Sequence, residues 1–126
     1  MATLIRPEIS KKNKYWISKH RHYELKHFCL QYPMWKREYD SLNGMRIQEC
    51  QNGSIDAKKE YYSDRINLVE RISIEADEFL HKYILKAVTE ELSFTYLKTK
   101  LGMPCGKDMY YDRYRKFFWL LSESRK

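Results

Sequence analysis

Residues 92–121 read LSFTYLKTKLGMPCGKDMYYDRYRKFFWLL, and the punctuation of this stretch decides the fold. The Ser93 side chain can accept from the free amides of a helix's first turn, so it starts a short helix over 94–101. Gly102 follows, where a left-handed residue commonly stops a helix. Met103-Pro104-Cys105-Gly106 reads as a tight turn, and a last helix runs from 107 to 122. On that helix Tyr110, Tyr111, Tyr114, Phe117, Phe118 and Leu121 gather on one side at about 100° per residue.

Two short helices joined by a glycine turn, the second strongly basic, have the form of a helix-turn-helix. Phe94, Leu97 and Leu101 would pack the first helix on the second. Opposite the aromatic stripe lie Met109, Asp112 and Lys116, with Asp108, Arg113 and Arg115 at the margins. Arg113 can donate two hydrogen bonds to a guanine edge, and Asp112 can accept from a cytosine amine. The candidates for base contact are therefore Lys107, Asp108, Met109, Asp112, Arg113 and Lys116. Candidates for phosphate contact are Lys11, Lys12, Lys14, Lys98, Lys100 and Arg115. Spacing alone leaves two readings side by side, a helix that enters a major groove and a hairpin that only packs. The stretch from Gly102 to Tyr110 is also longer than the short turn the motif expects.

Working outward, residues 1–17 form a basic N-terminal arm, 18–92 a helical body with a polar loop at 43–54, and 93–126 the helix-turn-helix. In the body, Leu25, Phe28, Cys29 and Tyr32 give helix 18–31 an apolar stripe, which the Tyr32-Pro33 step ends. Pro33 suits the start of a second helix over 34–42. Asp56 is the expected cap of a third helix to 76, with Tyr62, Ile66, Val69 and Ser73 inward and Glu60, Asp64, Arg71 and Glu75 outward. Asp77 is the expected cap of a fourth, whose stripe is Leu80, Ile84, Ala87 and Val88. The expectation is one compact all-α domain of about six helices.

Composition agrees. The 126 residues suit one domain, 43% hydrophobic and 33% charged, with four glycines and three prolines, which favours helices over turn-rich sheets. No apolar run reaches the roughly 18 residues of a membrane span, and no signal peptide is evident at the N-terminus. Three cysteines without CxxC spacing argue against a disulfide framework and for a reducing cytoplasm. The net charge of +7 divides as +5 over residues 1–40, −3 over 41–92 and +5 over 93–126. A polyanion is the simplest partner for positive charge placed in both terminal segments.

The same thirty residues resemble the C-terminal region of small phage-encoded transcriptional regulators of the ArpU, RinA and LtrA type, from phages and prophages of Gram-positive bacteria. The matching parts are the Gly102 turn, the Tyr110-Tyr111 start and the run Arg113-Tyr114-Arg115-Lys116-Phe117-Phe118. The resemblance implies a domain like the helix-turn-helix of sigma factor region four. It further implies activation of late phage genes in the cytoplasm of a bacterial host, with double-stranded promoter DNA and host RNA polymerase as partners. It implies no catalytic residue and no cofactor.

Other constellations are weaker. His20, His22, His27 and Cys29 lie within ten residues but lack a second pair at zinc spacing, so no metal is expected. Cys105 sits near a helix N-terminus without a recognisable base and reads as a turn residue. Trp119 falls on the polar side of the last helix, as a homodimer seam would. A different class of function remains: a small phage or mobile-element protein that binds and inhibits a host protein or ribonucleoprotein, with Trp119 and the 43–54 loop as contacts.

Overall fold

The computed structural model describes residues 11–44 and 53–126. Among them the chain is helical without strands: α1 Lys19–Leu30, α2 Tyr32–Asn43, α3 Gly53–Ala76, α4 His81–Glu90, α5 Phe94–Lys100 and α6 Lys107–Ser124. The all-α expectation holds. Gln31 alone parts α1 from α2, so the pair also counts as one broken rod.

Local chemistry sets most of the boundaries. The Ser18 hydroxyl accepts from the Arg21 N–H and opens α1, while Pro33 stands in the first turn of α2, where its missing N–H costs nothing. α3 starts earlier than Asp56 suggested: Gly53 is already helical, and Asp56 lies within the first turn, where a carboxylate still suits the helix dipole. Most of the polar loop, with Cys50, lies outside the described residues, and Asn43 and Ser54 belong to α2 and α3.

α6 is the central rod. It packs against α1, α3 and α4, while α2 lies along α3. Leu25, Val69, Ile72, Ile84, Phe117 and Leu121 are fully buried between these helices. Trp35 reaches the same core from α2, edge-on to Phe28 with ring centroids 4.8 Å apart. The far end of α6 is clamped from α1. Arg21 donates to the Ser122 hydroxyl at 3.0 Å and to the Ser122 and Arg125 carbonyls at 3.1 and 3.0 Å, placing a cation at the negative pole of the helix.

Asp77 joins three helices. One carboxylate oxygen accepts from the Phe79 and Leu80 N–H groups, both at 2.8 Å, so Asp77 caps the turn before α4 and not α4 itself, whose N-cap position is Leu80. The other holds Arg113 of α6 at 2.9 Å. Burial by itself would raise this carboxyl's pKa. The bonds from Leu80, Arg113 and Phe79 outweigh it and hold the group below its ordinary value. Asp77→Ala is expected to cost about 2 kcal/mol in urea unfolding, with roughly half regained by Asp77→Asn, which keeps the cap and loses the ion pair. Equal losses in the two variants would show that the cap contributes nothing.

Candidate nucleic-acid interface

The α5–turn–α6 unit is built as its sequence dictates. The Ser93 hydroxyl accepts the Tyr96 N–H at 3.1 Å and starts α5. Gly102 adopts φ +69°, where a side chain would be strained, and so lets the chain leave α5 sharply. The Met103 N–H then returns to the Leu97 carbonyl at 3.0 Å, and both side chains are buried. Lys98 Nζ donates to the Cys105 carbonyl at 2.9 Å, tying α5 to the loop before α6. Phe94 sets its ring against Tyr110 and Tyr111, at 5.6 and 6.2 Å, so the first helix leans on the second through aromatic rings. Burial raises the Cys105 thiol pKa, as befits a turn residue, despite the helix N-terminus beside it.

The exposed surface of this unit lies at its tip. Thr95, Tyr96, Lys98, Thr99 and Lys100 of α5 face solvent, as do Lys107, Asp108 and Met109 in the first turn of α6. Gly106 precedes that turn, leaving the first N–H groups of an 18-residue helix without a side-chain cap among the described residues. Lys100 and Lys107 form no ion pair among the described residues.

Beyond Met109 the flank differs from the expectation. From Tyr110 to Ser122 every residue of α6 is buried or half-buried, so the polar side is not held clear of the body. Arg113 is 31% exposed, and its guanidinium is engaged by Asp77 and by Asp112. Arg115 Nε is buried without a hydrogen-bond partner among the described residues, and Lys116 is half-covered. Trp119 is not an open seam either, because Tyr15 packs on it at 6.0 Å. The physical reason is the number of neighbours: a helical wheel assumes one buried face, whereas three helices and the N-terminal segment press on α6.

Residues 11–17 of the expected N-terminal arm fold onto the body, and residues 1–10 lie outside the described residues. Asn13 accepts the Tyr15 N–H at 2.8 Å in a tight turn, and Ile17 packs on the core. Lys14 lies over the Tyr15 ring and Lys11 over Trp16, at 5.1 and 5.6 Å, with Lys12 exposed between them. Tyr15 seats this basic group by Trp119, twelve residues and about 18 Å along α6 from Lys107. The structure therefore gathers Lys98, Lys100, Lys107, Asp108 and Met109 in one unit and sets Lys11, Lys12 and Lys14 apart from it.

Sequence reasoning missed Asp77 as the partner of Arg113, a contact across 36 positions. It also missed a cleft of about 560 Å³ where the end of α4 meets α5 and α6, walled by Phe94, Tyr110, Tyr111 and Tyr114. Lys107 stands at this cleft, as does Lys26, whose side chain is 15% exposed and bonds Glu91 at 2.9 Å. Glu91 has φ 59°, a left-handed turn from a residue other than glycine, and it marks the joint between α4 and α5.

The histidines are dispersed. His20 and His27 face solvent, while His22 and Cys29 are buried, and no group of three or more metal-ligating side chains forms among the described residues. None of the described helices is long and apolar enough to cross a membrane. No protein-family model, curated protein or solved structure matches the chain.

Proposed function

We propose that the chain is a sequence-specific, double-stranded DNA-binding transcriptional regulator of the phage late-gene type. The observation that carries this reading is the exposed first turn of α6, with Lys107, Asp108 and Met109 beside Lys98 and Lys100. In helix-turn-helix docking the N-terminal residues of the second helix meet base edges, and cations of the first helix meet the backbone. Lys107 and Asp108 then supply a donor and an acceptor for the major groove, and Lys98 and Lys100 hold phosphate. Arg113, Asp112 and Lys116 act mainly by fixing the tilt of α6, because their groups are half-covered and Arg113 and Asp112 are paired. The N-terminal lysines reach a second backbone segment, and host RNA polymerase is the protein met at the promoter. This reading assigns no catalytic residue.

The test is selection of a duplex from a random pool, followed by titration of variants against it. Lys107→Ala is expected to cost about 1–3 kcal/mol on the selected site and to relax one base position. Lys98→Ala and Lys100→Ala are expected to weaken all duplexes alike, each reducing the salt slope by about one. A pool that yields no enriched duplex overturns the reading, as does a Lys107→Ala variant that binds and discriminates like the parent.

A further inference from the structure

Phe79, at the entry to α4, is 87% exposed. It is not on a loose loop: its own N–H and that of Leu80 are fixed by Asp77, which is in turn held by Arg113. A large ring presented to water on a fixed turn has the form of an anchor for a partner's pocket. Glu78, exposed beside it, forms no ion pair among the described residues, while Glu75 is held by Arg71 and Lys82 is exposed three residues on. The knob is therefore apolar with one carboxylate beside it, Glu78, that has no ion pair among the described residues, in the one part of the chain whose charge balance is negative.

The aromatic cleft carries the complementary charge in Lys107, its other cation Lys26 being paired with Glu91 of the same wall. Its walls are Phe94, Tyr110, Tyr111 and Tyr114, and Lys107 stands at its edge. Its 560 Å³ exceeds the volume of one phenyl ring and leaves space for edge or offset contacts. A chain cannot fill its own cleft. The knob precedes the first residue of α4 and the cleft lies at the last, with a rigid helix of ten residues, about 15 Å, between them.

We propose that Phe79 of one copy seats in the aromatic cleft of a second copy, with Glu78 turned toward Lys107 at its edge. The contact is head-to-tail. Each added copy leaves a free knob at one end and a free cleft at the other, so association does not close at two.

Sedimentation equilibrium without DNA tests this, from about 10 μM to about 1 mM protein. Because duplex is left out, failure here is distinct from failure of the groove reading. The wild-type mass is expected to climb past the dimer without a plateau. Phe79→Ser, at a position with little to unfold, is expected to remain monomeric, and Lys107→Glu to weaken association at least about tenfold. At concentrations where Lys107→Glu alone is still monomeric, an equimolar mixture of these two variants retains one good knob and one good cleft, so its mass rises to the dimer and stops. A wild type monomeric throughout, a plateau at two, a Phe79→Ser protein that associates like the parent, or a mixture that stays monomeric each overturns the proposal.

Discussion

Phe118→Ala is expected to lower the free energy of unfolding by about 3–5 kcal/mol, a large share of the 5–15 kcal/mol that holds a domain of this size. Phe118 is 1% exposed on the central rod. Its ring meets His22 of α1 edge-on at 4.8 Å and packs on Tyr114 and Phe117 at 5.0 and 5.1 Å. Truncation removes the burial and leaves a void that three rings on two helices cannot close together. Phe79→Ala supplies the control, since the same chemical change at a ring already in water is expected to cost under about 0.5 kcal/mol. Urea midpoints for the two variants at pH 7 measure both. A Phe118→Ala loss below about 1.5 kcal/mol would mean that α6 is not the load that the other helices grip.

The features legible in the sequence were those a single helix carries. Ile66, Val69 and Ser73 on α3, and Leu80, Ile84, Ala87 and Val88 at α4, are buried as their spacing required, and Glu60, Asp64, Arg71 and Glu75 are exposed. Ser18, Ser93, Pro33 and Gly102 punctuate the chain where their chemistry acts. The features that were not legible all depend on a second segment. Periodicity reports which face of α6 is greasy, but not that Tyr15 covers Trp119 or that Asp77 takes Arg113. The same limit applied to α1. Lys26 stands off the stripe of Leu25, Phe28, Cys29 and Tyr32, yet this lysine is largely covered and paired with Glu91, 65 positions away. For the candidate interface the consequence is specific. The sequence located the unit and its turn, while tertiary contact decided which of its charged groups remain available.

Acidification between pH 6.5 and 4 is expected to cost the fold roughly 2–3 kcal/mol through His22 alone. This imidazole lies against Phe118 and Tyr114, and its Nε2 is buried without a hydrogen-bond partner among the described residues. Burial first, and the Lys26 ammonium second, push its pKa down to about 4. A histidine in the unfolded chain titrates near 6.5. Above that pH both states are neutral and the full stability is present. As pH falls toward the folded value the unfolded chain takes up a proton that the native state refuses, so stability drops by about 1.4 kcal/mol per unit. Below about pH 4 both states are protonated and this contribution stops changing. His22→Leu removes the titration and keeps an apolar group of similar bulk, so its unfolding free energy should decline less than that of the parent between pH 7 and pH 4.5. The discriminating measurement is the difference between the two proteins at each pH, because carboxylates such as Asp77 contribute equally to both. Parallel pH profiles, or a His22 ring that titrates near 6.5 in the folded protein by NMR, would place the imidazole in water and detach α1 from Phe118 at that point.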